Sequence, residues 1–475
     1  MENKNKYKFL LSNTVLFFIS SFSSKFLVFL LMPIYTAVLL PGEYNTVDLL
    51  TQTANLLIPI VSLGIPNSII RFGVDKKYSK RGVFTVAALT YFAGFAIFGC
   101  CYPIIKKITF ITDYVFYLYL YLICSCLRTL VQQFTRARAL TRLYAFDGIL
   151  ATVNTLFLVW LFLVKFKLGR IGYILAIIGA DFISFLFLSV ISGAWRAFRL
   201  SSVKKSLVKE MLGFCLPLIP TGIFWWITNV SDRYLVTAMV SSSVAGLYAI
   251  SYKIPSIVNI MSTVFTEAWQ ISAVQEGEKK DSAQFFKKVF RAYRSVIFMA
   301  GAGLILICRI IIKLMVADSY YEAWRFIPVL IIATVFSCFS GFLSSIYMVA
   351  KNGKANLFTM MAGALSNIAM NIVFIPKRGA QGAAVATLIS YFIVFALRVI
   401  GTKKYINVDV SPLVIAVNCL LLGSMSYIMI NEIKYWAVIC TLLCAVTIAF
   451  NIVPLVNFAL PVIKKILSKK KKKAN

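Results

Sequence analysis

Four cations stand where an apolar chain has little reason to keep them. Lys25, Arg128, Arg233 and Lys253 each lie inside a stretch apolar and long enough to cross a bilayer. About 20 such residues span a hydrocarbon core, and a charge at its centre costs about 2.5–3.5 kcal/mol on insertion scales. Four of them on four stretches imply a protein-lined, water-filled place that uses positive charge. Cations converging there would receive an anion, and guanidinium forks match phosphate oxygens. Plainer readings stand beside this one. Lys25 can snorkel to the headgroups along its stem, and Arg233 can pair with the adjacent Asp232 and lock helices together. Arg128 and Lys253 have no acid on their own helix face. Arg128, Gln132 and Arg136 follow each other at i, i+4 and i+8, so one helix face is polar from mid-membrane to its end.

Asp48, Asp181, Asp232 and Glu267 are the acidic counterpart. Intramembrane carboxylates commonly relay ions, so each is a candidate for coupling to a proton or sodium gradient. Each could equally neutralise a neighbouring cation. Other chemistry is thinly represented. There is no histidine, which removes the commonest general base and metal ligand. The ten cysteines lie almost entirely in apolar stretches and read as small core residues without structural disulfides. No phosphate-binding glycine loop, zinc spacing or nucleophile–base pairing occurs. The expectation is a protein with no cofactor and no bound metal, and not an enzyme.

The elements that must hold these residues are transmembrane helices. The chain has 475 residues, 60% of them hydrophobic, and a mean hydropathy of +0.84. An unpaired strand edge cannot face lipid, so the expected fold is all-α and polytopic, with about 14 spans. These include 10–38, 44–70, 113–135, 171–195, 211–239, 243–270, 356–375 and 380–400. The net charge of +32 sits mostly in short loops. That pattern speaks for orientation in a membrane rather than for nucleic acid. Lysine and arginine are about threefold richer on one set of alternate loops, which places both termini in the cytoplasm. The basic tail, including KKKKK, reads as a stop-transfer anchor, or else as a contact for anionic lipid.

The first six spans look like a copy of the next six. The hairpin LGRIGYILA, with Gly169 and Gly172, matches RGAQGAAVA, with Gly379 and Gly382. RGVFTVA likewise matches KKVFRAY. Six helices per copy give two parallel repeats, hence two lobes around a central cavity. The expected organisation is an N-terminal lobe at 1–200, a C-terminal lobe at 201–405, a trailing helix pair at 406–463 and a basic tail at 464–475. Pro33, Pro59, Pro66, Pro217, Pro220 and Pro255 fall in the first two spans of each repeat and supply bending points.

The opening FFISSFSSKFLVFLLMPIYTAVLLPGEYNTVDLL, then LLIPIVSLGIPNSIIRFGVD, then SDRYLV followed by AGLYAISYKI carry a resemblance. The sequence resembles the Wzx-type polysaccharide or oligosaccharide flippases of the multidrug/oligosaccharidyl-lipid/polysaccharide exporter superfamily. The resemblance covers essentially the whole chain. It implies two six-helix lobes around a cationic cavity in the bacterial plasma membrane. It implies transfer of an undecaprenyl-pyrophosphate-linked oligosaccharide from the cytoplasmic to the outer leaflet, with polysaccharide polymerase and chain-length machinery as partners. Under it Lys25, Arg71, Arg233 and Lys253 would attract the pyrophosphate, whereas Arg128 rests on its helix face alone. Arg71 also ends its span as an ordinary positive-inside anchor.

Three other readings remain. A multidrug antiporter of the same fold would extrude organic cations, for which a cationic cavity is unsuited. A flippase for peptidoglycan or teichoic precursors shares the head-group chemistry. A membrane polysaccharide polymerase would need a large catalytic loop, and the loops here are short.

Overall fold

The structure is a computed structural model that describes residues 29–75, 77–107, 112–277, 282–350 and 352–474. Among these residues every regular element is helical. Helices satisfy each backbone group within the segment, as hydrocarbon demands. Ten helices are long and apolar enough to cross a membrane, and two bent pairs bring the number of spans to as many as 12. The protein is a multi-pass membrane protein. The span expected at 10–38 falls largely outside the described residues. Those expected at 356–375 and 380–400 are two arms of one folded element, taken up below.

The described residues divide into two compact units that part between Trp226 and Ile227, with residues 315–319 belonging to the first. The first unit contains α1 (Phe29–Val38), α2 (Pro41–Val61), α3 (Ile65–Gly73), α4 (Lys80–Cys100), α5 (Val115–Ala137), α6 (Thr141–Val159), α7 (Gly169–Ile191) and α8 (Lys205–Cys215). Its core joins Ile65 and Ile69 of α3, Val83 of α4, Cys126 of α5, Leu188 of α7 and Met211 of α8.

Proline and a left-handed glycine break the second span of this unit. Pro59 lies inside α2 and Pro66 opens α3, and the two helices meet at 55°. Leu63 and Gly64 turn the chain between them at φ 50° and 67°. A side chain on Gly64 would also stand 3.1 Å from the Cys215 carbonyl. Cys215 ends α8, where Pro217 forces a short 3-10 turn before α9 (Ile219–Met239). Two broken spans therefore abut, and the Ser68 hydroxyl ties them by donating to the Met211 carbonyl at 2.8 Å.

The second unit holds most of α9, then α10 (Ser242–Ser251), α11 (Pro255–Gly277), α12 (Ser282–Met315), α13 (Ile327–Val349), α14 (Gly353–Thr402), α15 (Pro412–Ile430) and α16 (Trp436–Ala474). Here too the second span is broken: α10 and α11 meet at 41°, with Pro255 opening the second piece. Helix α13 is the central one, with 17 residues buried, including Ile331, Phe339 and Phe342. Aromatic rings stack against it. Trp269 lies 4.9 Å from Phe342, and Tyr293 lies 5.6 Å from the same ring. The Trp269 indole N–H finds its acceptor in Ser345 at 2.9 Å, as a buried indole requires.

Helix α14 is 50 residues long and folds back on itself at Gly379, whose φ of 57° and ψ of −143° lie outside the helical region. Asn367 reaches Thr387 at 3.4 Å and Arg398 reaches Thr359 at 3.1 Å, so the two arms run antiparallel. Gly382 lets them close, because a Cβ there would overlap the Phe374 carbonyl. The first unit repeats the device between α6 and α7. Gly169 has φ 55°, and a Cβ on Gly172 would come within 3.1 Å of the Phe162 carbonyl. The paired glycines thus perform the same turn in both units.

The segment between α14 and α15 is clamped to α12. Asp409 receives Lys287 at 2.7 Å and Arg291 at 3.4 Å. The Lys287 hydrogen bond, the Ser411 backbone N–H at 2.8 Å and the nearby Arg291 charge hold its carboxyl down at about 2. A carboxyl depressed in the folded state adds stability above its ordinary value near 4 and loses it as the pH falls toward 2. Asp409→Asn is therefore expected to lower the thermal midpoint modestly at neutral pH, since the pair is half-exposed. The gap from the parent protein should close between about pH 4 and 2, read by unfolding scans in detergent.

Candidate functional site

Each unit buries a polar cluster inside its apolar helices. In the first unit the cluster is built on Arg128, midway along α5. Its guanidinium meets Asp181 of α7 at 2.6 Å and Asp147 of α6 at 3.7 Å. Asp147 is fully buried and also accepts from Ser184 of α7 and, at 3.4 Å, from Gln132 of α5. One cation therefore faces two carboxylates, with an amide and a hydroxyl as further donors. With all three ionised the cluster keeps one negative charge. That imbalance is suited to taking up a proton or a small cation.

The shared face read from the sequence is real for two of its three members. Arg128 and Gln132 turn to the same acids. Arg136, one step further, instead lies 5.1 Å from the Tyr144 ring and donates to Gln133 at 3.4 Å. Arg128 has no acid on its own helix, but neighbouring helices supply two. Sequence reasoning singled out Arg128 and Asp181 and passed over Asp147. The signal was present in the sequence as a carboxylate inside an apolar span.

In the second unit the cluster centres on Asp232 of α9, which is wholly buried. It accepts hydrogen bonds from the Tyr248 hydroxyl of α10 at 2.8 Å, from the Tyr252 hydroxyl, and from Thr387 in the second arm of α14 at 3.2 Å. The Arg233 guanidinium lies 4.9 Å from the centre of the Tyr252 ring. Tyr252 therefore touches both members of the Asp232–Arg233 pair, one through its hydroxyl and the other through its face. The network continues along the same helices. Ser231 donates to Asn367 at 2.9 Å, and Tyr391 donates to Asn229.

The remaining candidates are dispersed. Asp48 is buried on α2, close enough to the Tyr173 hydroxyl of α7 to interact electrostatically. Tyr173 also leans on Tyr35 at 5.3 Å. Lys253 sits in the break between α10 and α11, its N–H held by the Ile250 carbonyl at 2.9 Å. Arg71 is exposed in the last turn of α3. Lys25 lies outside the described residues, as does the side chain of Glu267, whose backbone belongs to α11.

Arg398 was not anticipated. It is buried in the second arm of α14 and bonded by neutral groups: the Ser340 carbonyl at 2.7 Å, Asn356 at 2.7 Å and Thr359 at 3.1 Å. Among the described residues no carboxylate forms an ion pair with it. In the sequence it lies near the end of the span expected at 380–400, five residues before the basic pair Lys403–Lys404.

Comparison with known proteins places this architecture. Residues 10–270, more than half of the chain, match the family described as polysaccharide biosynthesis protein. No curated relative matches the chain. Among solved structures, a lipid II flippase MurJ in an inward closed conformation superposes with a TM-score of 0.67 at 14% identity, covering 95% of this chain and 100% of that one. An inward-facing multidrug resistance MATE family transporter of the MOP superfamily gives a TM-score of 0.64 at 12% identity, covering 82% of this chain and 94% of that one. A MOP superfamily transporter from Pyrococcus furiosus, described by the reverse polarity of its binding pocket, gives 0.59 at 12% identity, covering 82% and 95%. At these identities the likeness is one of fold.

Proposed function

Because the chain belongs to the polysaccharide biosynthesis protein family, we propose that it is a Wzx-type flippase. In this reading it moves an undecaprenyl-pyrophosphate-linked oligosaccharide from the cytoplasmic to the outer leaflet of the bacterial plasma membrane. It works as a transporter rather than an enzyme, by alternating access, with both termini in the cytoplasm. A polysaccharide polymerase and its chain-length machinery take the product. The observation that carries the reading is the family match over residues 10–270 on a fold shared with a lipid II flippase.

The clusters divide the work. Lys25, Arg71, Arg233 and Lys253 receive the pyrophosphate, for which cations are the matching charge. Arg128 is already engaged by Asp147 and Asp181. We therefore assign it and its two acids to ion coupling, with Asp48, Asp232 and Glu267 as the other coupling candidates. A second reading, with a peptidoglycan-type lipid precursor as cargo, is favoured by the likeness to the lipid II flippase.

The test is the fate of lipid-linked saccharide in cells lacking this protein, assayed by leaflet with an impermeant sugar-oxidising label. Accumulation on the cytoplasmic face with loss of surface glycan is the expected result, and the accumulated saccharide decides between the two cargoes. Unchanged arrival at the outer leaflet, with no paralogue compensating, overturns the flippase reading. Complementation with a Lys25→Ala, Lys253→Ala protein that inserts normally should fail. Full export by that protein would remove both lysines from the cargo site.

A further inference from the structure

Three helices of the first unit come together at one end. Helix α4 begins there, and α5 and α7 end there. Between them lies a cleft of about 570 Å³ whose polar lining includes Lys80, Arg81, Arg138 and Arg196. Among the described residues no carboxylate lines it. All four cations are exposed, and none of them takes part in the buried clusters described above.

Two of the guanidinium groups are held in place without losing their charge. Arg196 lies 4.7 Å from the ring of Trp195, and Arg138 lies 5.7 Å from the ring of Phe134. Arg138 also donates to the Ser192 carbonyl at the end of α7. Stacked and tethered arginines present the rest of their N–H groups in fixed directions, an arrangement suited to phosphate oxygens.

A second groove, of about 190 Å³, adjoins the first through Trp195, which lines both. It is lined almost wholly by apolar side chains, among them Phe92, Phe95, Leu127, Phe185 and Phe198. Around the two openings, Phe92, Val190, Ile191 and Trp195 are each 60% exposed or more. On membrane helices such side chains meet lipid. A cationic compartment and an apolar one thus share a tryptophan wall, at helix ends where headgroups lie.

We propose that this is a binding site for an anionic glycerophospholipid. Its phosphate lies among Lys80, Arg81, Arg138 and Arg196, and an acyl chain runs along the groove beside Trp195. Charge selects the headgroup: a zwitterionic lipid brings its own cation into a compartment that already holds four. The groove selects a lipid over a soluble phosphate. By bridging the ends of α4, α5 and α7, the bound lipid stabilises the first unit. The inference stands apart from the flippase reading, since it concerns neither the cargo nor the coupling residues.

The test uses the full-length protein in detergent, titrated with phosphatidylglycerol or phosphatidylcholine and read by native mass spectrometry and by thermal unfolding. Phosphatidylglycerol is expected to be retained and to raise the thermal midpoint, with phosphatidylcholine at least tenfold weaker, a ratio of about 1.4 kcal/mol. Arg81→Gln with Arg196→Gln is expected to lower retention roughly 30-fold, at about 1 kcal/mol per basic residue. Lys106→Gln with Lys107→Gln, just beyond the other end of α4, should leave it unchanged. Phe92→Ser, which lines the apolar groove alone, should weaken phosphatidylglycerol while leaving inorganic phosphate unaffected. If the double arginine variant does not fold, the single Arg196→Gln protein supplies the same comparison at a smaller effect. Equal retention of the two lipids, or undiminished retention by the arginine variant, overturns the proposal. So does inorganic phosphate that displaces the lipid at equal concentration, which would make the cleft an anion site with no role for the groove.

Discussion

Arg128→Met is expected to cost the folded protein about 3–5 kcal/mol, the penalty for removing one partner of a buried charge cluster. The reason lies in what remains. Asp147 is fully buried and Asp181 nearly so, and both would lose the guanidinium now 3.7 and 2.6 Å away. Ser184 and Gln132 would remain as donors, but neutral donors do not offset two carboxylates that repel each other at low dielectric. The partner experiment makes the claim sharp. Asp147→Asn and Asp181→Asn, added to Arg128→Met, remove every charge and should restore most of the loss. Thermal unfolding of the purified proteins in detergent measures both. If Arg128→Met alone unfolds with the parent, the cluster is not an electrostatic unit. If the triple variant is no better than the single one, the damage is one of shape rather than charge.

Gly382→Ala is expected to be the most damaging change of a single methyl group in the second unit. Its new Cβ would collide with the Phe374 carbonyl. Backbone cannot rotate away as a side-chain tip would, so the arms of α14 must separate. Overpacking of this kind costs about 1–3 kcal/mol and sometimes more. The separation would also strain the Arg398–Thr359 and Asn367–Thr387 contacts between the arms. Gly303→Ala on α12 is the control, because nothing lies within 4 Å of the added atom. The expected readout is a lower thermal midpoint and a smaller monodisperse fraction for Gly382→Ala, with Gly303→Ala close to the parent. Equal behaviour of the two would mean that the turn closes without needing a glycine at position 382.

Much of the fold is legible because lipid makes few demands and makes them everywhere. Length and apolarity mark the spans, and Pro59, Pro66, Pro217 and Pro255 mark where helices break. The glycine pairs mark two hairpins. What stayed hidden is which side chain meets which across helices. Arg128 and Asp181 were each conspicuous, yet helical period says nothing of a contact 53 residues away. Asp147 shows no partner within its own helix to draw attention to it. Tyr248, Tyr252 and Thr387 were invisible for another reason: a tyrosine or threonine in an apolar span looks like packing until an acid is seen beneath its hydroxyl. Around Asp232 the repeat does carry one more hint. Ser231–Val236 reads SDRYLV, and Ser23–Val28 reads SSKFLV. Lys25 thus occupies the register of Arg233, with a serine where the second unit has its aspartate.

The Arg128 cluster also bears on how the chain enters the membrane. Its members sit on α5, α6 and α7, three consecutive spans. An arginine released alone into lipid would meet the insertion cost of about 2.5–3.5 kcal/mol unaided, and each aspartate would meet a similar one. Because the acids follow directly on the next two spans, the cation need wait only for its immediate successors to emerge. Neutralisation can take place during synthesis, before the second unit exists. The order of charges along the sequence is in this sense an insertion schedule. A circular permutant opened between α5 and α6 would retain all three helices and still separate Arg128 from its acids during biogenesis.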